Sequence, residues 1–264
     1  MLISFRRVWA VMLRHLKPTF RDPIRYVDMI YWPLIDIFIW GFGTIWLQNS
    51  AGKGQGNAAL ILLTCLALWQ IVFRCNIEIA RNLLEEKWSQ NLVNLFATPL
   101  KPSEWMLAVM GLGALQLVFG IPFSAVVIYG LYGINIFSMG PLFTLAVLGM
   151  LLTGWTAGFV STGFILIAGK RAEMLAWSFV WASAPFIGVF YSIEVLPSFA
   201  QAFSWCLAPT YFFEATRTYL TSGNVRWDYF GIGFALSVAA FAASAIFFHR
   251  AFNWCKDRGL ARLE

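Results

Sequence analysis

Six long apolar runs constrain this chain more than any other feature. They cover roughly residues 27–47, 58–80, 105–130, 141–168, 173–193 and 229–250. A helix needs about 20 mostly apolar residues to cross ~30 Å of hydrocarbon, and each run is near or above that length. Hydrophobic residues make up 59% of the 264 and charged residues only 12%. That charged share is about half the ~25% of a soluble domain, so a water-exposed surface is not being built. Membrane-spanning strands would alternate apolar and polar residues, and no segment does. The expected fold is therefore all-α: a polytopic membrane protein with six transmembrane helices in one domain over 1–264. Pro33, Pro122 and Pro185 fall inside runs and mark expected kinks, tolerated in lipid where neighbours re-satisfy the freed carbonyls.

A net charge of +6 could suggest nucleic acid, but the bases sit at the ends of the runs. Arg6, Arg7, Arg14, Lys17, Arg21 and Arg25 precede the first. Arg74, Arg81, Lys87 and Lys101 lie at or after the second, Lys170 and Arg171 after the fourth, and Arg250, Lys256, Arg258 and Arg262 at the end. If the runs cross in turn, all of the 19 bases but Lys53, Arg217 and Arg226 share one side. The positive-inside rule then places both termini in the cytoplasm, with no nucleic-acid partner. The first 23 residues interleave bases with apolar positions, which predicts no cleaved leader. Cys65, Cys75, Cys206 and Cys255 lack metal-ligand spacing, and His15 and His249 are too few and too separated for a metal site or relay, so no metal is expected.

Three stretches are not spans. Residues 1–26 form a basic cytoplasmic segment in which Ile3, Val8, Met12 and Leu16 predict an amphipathic helix over 4–17; a plain topology anchor is the alternative. Residues 194–228 have a short apolar core broken by Pro197 and Pro209 and followed by Glu214 and Arg217. A seventh span there would send the basic tail, 251–264, outside. The segment reads instead as a pair of re-entrant or interfacial helices on the outer side. The third stretch is the polar loop 81–104, "RNLLEEKWSQNLVNLFATPLKPSE". Leu84, Trp88, Leu92 and Leu95 recur at helical spacing, with Glu85, Glu86, Ser89, Gln90, Asn91 and Asn94 on the remaining faces. An amphipathic helix over 81–98, ended by Pro99 and Pro102, is predicted. It is either a joint between two spans or a rigid element offered to a soluble partner.

These stretches resemble the permease subunits of type-2 ABC transporters, the ATP-driven exporters. The loop carries an acidic-basic cluster (Glu85, Glu86, Lys87), an amphipathic helix ending at Leu95 to Pro99, and Pro102 to Glu104 at the next span. Ser89 and Gln90 stand where the family often has Gly and Thr. The second patch carries Phe190, Tyr191, Leu196, Pro197, Pro209, Glu214, Arg217 and Gly223 in the family's order. The resemblance covers nearly the whole chain. It implies a permease of the bacterial inner membrane, dimeric with itself or a related chain and bound to two copies of a separate ATPase that uses ATP and Mg. The sequence agrees in having no phosphate-cradling GxxxxGK[ST] loop, so no catalysis and no bound cofactor are expected of this chain.

In the resemblance, 81–98 is the coupling helix, with Glu85, Glu86, Lys87, Trp88, Asn91, Leu95, Phe96 and Pro99 facing the ATPase beside Arg6 and Arg7. Pro197, Pro209, Tyr211, Glu214 and Arg217 belong to the re-entrant path. The substrate is an amphipathic molecule: a lipid-linked glycan, a lipid or a drug.

Three polar residues within apolar runs remain. Asp36 is read as a group on the path or dimer seam, as a partner of Arg74, or as a protonated carboxyl. Arg74, Glu78 and Arg81 fit an ion-pair ladder at helical spacing. Gly154 and Gly158 form a GxxxG that predicts close helix packing. Most Trp and Tyr mark an aromatic belt, while Trp40, Trp155, Trp177 and Trp181 lie deeper and could stack on sugars. A secondary transporter or channel is the alternative function, although proton or sodium coupling usually needs more membrane carboxylates. A membrane-embedded enzyme would need a convergent Asp, Glu or His cluster that is absent.

Overall fold

The computed structural model describes residues 3–19, 21–51 and 58–257. Lys53, Arg258 and Arg262 lie outside them, as do the side chains of Lys170, Arg171 and Trp177. All regular structure among the described residues is helical: α1 (Phe5–Thr19), α2 (Pro23–Ala51), α3 (Ala58–Trp88), α4 (Leu92–Ala97), α5 (Pro102–Tyr132), α6 (Pro141–Ala168), α7 (Glu173–Ser183), α8 (Ser198–Ser204), α9 (Ala208–Ser222) and α10 (Trp227–Asp257). Proline opens α2, α5 and α6, where its missing N–H is no loss because a first-turn N–H has no partner within the helix.

Five helices, α2, α3, α5, α6 and α10, are long and apolar enough to cross a membrane. The chain is thus a helical protein with the build of a multi-pass membrane protein. The run at 173–193, expected as the fifth of six spans, is different. Its helix α7 stops at Ser183, a 3-10 turn follows over Ala184–Phe186, and the backbone is irregular through Ser192. Pro185 cannot donate to the helix ladder, and Gly188 takes a left-handed φ of 80°. The 11 residues of α7 rise only about 16 Å, half of the hydrocarbon thickness.

Helix α3 forms the centre. Across its apolar stretch 78% of residues are buried, against 17% for α2 and 22% for α10. Close approach makes this possible. A Cβ added to Gly154 would lie 2.7 Å from the Cβ of Cys75, and one on Gly158 would lie 2.7 Å from Cδ1 of Ile79. The GxxxG of α6 therefore packs against α3, as small residues in membrane helices do. Buried Ser161 adds a hydrogen bond from its Oγ to Oδ1 of Asn76 at 3.0 Å.

Two apolar clusters lie along the bundle. The larger joins Ile37 of α2 to α3, α5, α6, α7 and α9. The smaller gathers Val8 and Val11 of α1, Leu83 and Leu84 of α3, Leu92 and Leu95 of α4, Trp105 of α5, and Phe248 and Phe252 of α10. The helix predicted over 4–17 is α1, whose Val8 and Val11 dock on the bundle, while Ile3 of the expected stripe precedes the helix and is exposed. At 194–228 the expected helical pair is α8 and α9.

Candidate functional site

The expected continuous helix over 81–98 is two helices. α3 runs on to Trp88 and closes in a Schellman motif: the N–H of Asn91 donates to the carbonyl of Glu86 at 2.9 Å and that of Gln90 to Lys87 at 3.1 Å. Gln90 takes the left-handed φ of 53° that this motif requires. Asn91 then accepts from the N–H of Leu95 at 2.9 Å and starts α4. The turn breaks the helical phase. Leu84, Leu92 and Leu95 are buried as the periodicity implied, but Trp88, assigned to the same face, is 58% exposed.

The charged residues of this loop are also placed differently from the sequence reading. An open polar face was expected, yet three of its charges are spent inside the chain. Glu85 pairs with Arg25 of α2. Glu86, 3% exposed, accepts from Arg14 at 2.9 Å and from Asn91 at 2.6 Å. Lys87 reaches Glu173 at the start of α7 at 2.9 Å. Burial beside α3, together with Arg14 and Arg25, pushes the imidazole of His15 down to about 4. Its Nε2 lies 3.5 Å from Glu86, but that carboxylate is already committed to Arg14 and Asn91, so the arginines and desolvation prevail.

Arg7 is likewise internal. It forms a fork on Glu104 of α5, with Nη2 to Oε1 at 2.6 Å and Nε to Oε2 at 2.8 Å. The same carboxylate accepts backbone N–H groups from Ser4 at 2.8 Å and Lys101 at 3.1 Å. Arg6 is exposed. Phe96 meets Phe252 edge-on at 4.4 Å, which ties α4 to α10, and Trp105 stacks on Phe248 at 5.5 Å, which ties α10 to α5. What remains outward at the tip is Trp88, Ser89, Gln90, Asn94, Ala97, Thr98 and Pro99. The tip is an exposed, mostly uncharged surface on a braced base.

The polar residues of the apolar runs do not form the expected ladder. Arg74 and Arg81 both pair with Asp28 of α2, at 3.3 and 2.8 Å. Arg74 also donates to the carbonyl of Asp28 at 2.7 Å. Glu78 instead accepts from Asn82 at 2.9 Å and from Gln116 of α5 at 2.7 Å. Asp36 takes neither Arg74 nor an exposed position; its Oδ2 accepts from Gln70 at 2.5 Å and it is half-buried. Intrahelix spacing favoured the ladder because it cannot register a neighbouring helix. Asp28, Gln70, Gln116, Arg14, Arg25 and Glu173 went unassigned for the same reason. The one available signal was that Arg74 and Arg81, two turns apart, share a face of α3, with Asp28 as a carboxylate at the start of the first span.

In the helical pair, Pro197 precedes α8 and Pro209 sits in the first turn of α9. Tyr211 donates its hydroxyl to the carbonyl of Trp205 at 3.0 Å. Oε1 of Glu214 accepts from the N–H of Ile193 at 2.9 Å and lies 3.5 Å from Nε of Arg217, whose Nη2 donates to the carbonyl of Gly188 at 2.7 Å. Glu214 and Arg217 thus fasten α9 to the irregular strap after α7. Beside them a groove of about 860 Å³ is lined by Trp40, Trp46, Phe190, Tyr191 and Arg217 among others, with Trp40 stacked on Phe190 at 4.5 Å. Among the described residues no group of three or more His, Cys, Asp and Glu could hold a metal ion. Comparison of the chain with known protein families and with curated proteins returns no match to either.

Proposed function

We propose that this chain is the membrane-spanning permease subunit of an ATP-driven exporter of the type-2 ABC class. It acts as a dimer with itself or a related chain and is driven by two copies of a separate ATPase. In this reading both termini and the α4 tip lie in the cytoplasm of the bacterial inner membrane. The α8–α9 pair is re-entrant from the outer side, and α7 together with the strap that follows it makes the fifth of six crossings.

The observation that carries the reading is the α3–α4 tip. A contact that transmits force needs an exposed anchor on a base that does not yield. Trp88 is such an anchor, and the base is braced by Arg7–Glu104, Arg14–Glu86, Arg25–Glu85 and Lys87–Glu173. The partner-facing residues are then Trp88, Gln90, Asn94 and Pro99, with Glu85, Glu86 and Lys87 as bracing. The groove lined by Trp40, Phe190 and Tyr191 supports an amphipathic or glycan-bearing substrate, since aromatic faces stack on sugar rings and on flat drugs alike.

Co-purification with a nucleotide-binding subunit tests the assembly, and substrate-stimulated ATPase activity tests the coupling. Trp88→Ala is expected to cut stimulated ATPase about tenfold, the scale of an interface hot spot, and to leave the thermal transition unchanged. A chain that purifies without any ATPase, or whose stimulation survives Trp88→Ala, sinks the reading.

A further inference from the structure

A groove of about 350 Å³ opens between α1, α2 and α5, walled by Leu16, Met29, Leu112, Leu115, Phe119 and Phe123. Its lining is apolar except for Glu78 and Gln116. A niche of about 20 Å³ adjoins it, sharing Met29, Gln116 and Gly120 with the groove and adding Gln70, Arg74 and Ser124. A niche of that size holds one water-sized group. The two together make an apolar slot that ends on a small polar pocket, the shape of a single-chain amphiphile.

The polar end has a defined chemical sense. Gln70 is 8% exposed and its Nε2 is used on Asp36, yet its Oε1 makes no hydrogen bond among the described residues. A buried carbonyl oxygen left unpaired is penalised, and a donor brought by a ligand removes the penalty. The carboxylates of Asp36 and Glu78 are acceptors as well. Arg74 offers little to an anion, because it already donates to the side chain and carbonyl of Asp28 and to the carbonyl of Met29. The niche has donors in Arg74 and the hydroxyl of Ser124, and its buried group without a partner is an acceptor, Oε1 of Gln70.

We propose that this groove binds a single-chain amphiphile whose head donates hydrogen bonds, an alkyl alcohol or alkylamine, with the head at Gln70 and the chain along α5. A carboxylate or phosphate head would set acceptor against Oε1 of Gln70 and lie near Glu78, leaving the unpaired oxygen unsatisfied, so it is disfavoured against a donor head. The site rests on the cavity and its polar end, not on coupling to an ATPase.

The test uses the full chain in phosphatidylcholine nanodiscs with a diazirine-bearing hexadecylamine, the labelled residues being mapped by mass spectrometry. Label is expected on α5 around Leu115 and Phe119, displaced by dodecylamine and dodecanol but not by dodecanoate or dodecyl phosphate. A Cβ on Gly120 would meet nothing within 4 Å, so Gly120→Leu fills the slot without disturbing the fold. It should abolish the α5 label at an unchanged thermal transition. Gln70→Leu should weaken displacement by both competitors about tenfold, the worth of one buried hydrogen bond. Label that persists in Gly120→Leu, or that all four competitors displace equally, would be contact with surrounding lipid only and overturns the site.

Discussion

Helices α2 and α3 are both long and apolar, and composition assigns them the same place. Yet 78% of the apolar stretch of α3 is buried and 17% of that of α2. The difference lies in what faces each helix. α3 meets Gly113, Gly154 and Gly158 of its neighbours around Cys75 and Ile79, and it carries the buried amides Asn76 and Asn82. α2 turns Tyr31, Trp32, Ile39, Phe42 and Trp46 outward. Lipid tails are as apolar as leucine, so hydropathy decides only that a helix leaves water. Steric fit decides whether it enters protein.

The sharpest way to break this comparison is to add volume to both sites. Gly154→Leu would drive carbon into Cys75 and to within about 3.1 Å of the carbonyl oxygen of Val72. The expected loss is roughly 3 kcal/mol or more, the upper end for overpacking, because backbone cannot step aside as a flexible side chain would. Gly43→Leu on α2 meets nothing within 4 Å and should change stability by less than about 0.5 kcal/mol. Thermal unfolding of the two purified variants measures both. An equal loss at Gly43 would mean that the outward face of α2 is packed against another chain.

The same contrast explains what the sequence could tell. Helix existence was legible, because apolar length and proline breaks are local properties. α6 was bounded to the residue by the Gly140–Pro141 start and the Gly169 stop. The end of the fifth run was not, since an apolar strap held by Glu214 and Arg217 looks like a span until those contacts are known. In the candidate site, Leu92 and Leu95 were placed correctly by their spacing. Trp88 was not, because the periodicity assumes an unbroken helix and a left-handed glutamine gives no compositional warning. The ion pairs were the least legible: each links two helices, and spacing along one helix favoured Arg74–Glu78–Arg81 over Asp28.

A second prediction sharpens the contrast by pH. His15 is 5% exposed and faces Arg14 on its own helix, Arg25 of α2 and Glu86 of α3. Its pKa is lowered to about 4 from 6.5. A histidine depressed in the folded state is neutral there while the undocked one takes a proton, so stability is complete above pH 6.5 and falls as pH drops toward 4. The expected loss is roughly 2–3 kcal/mol, levelling off below that. Thermal transitions between pH 7 and 4 should show the drop in wild type and lose this component in His15→Gln. A drop of the same size in the variant would place the titrating group elsewhere.

The smallest expected effect lies where α3 leaves the bundle. Among the described residues Gln90 is the only non-glycine at positive φ, and it holds the Schellman turn that aims Trp88 outward. A left-handed residue with a Cβ costs about 1–2 kcal/mol, while glycine gives back about 0.4–1 kcal/mol through a freer unfolded chain. The first term wins, so Gln90→Gly should stabilise by about 0.5–1 kcal/mol, read as a small rise in the thermal transition. Gln90→Val should do the opposite, since a β-branched side chain tolerates that φ worst. If both variants lower stability equally, Gln90 is held by its side chain rather than strained in its backbone. The turn would then be specified by a contact of the amide and not by the Schellman bonds of Glu86 and Lys87.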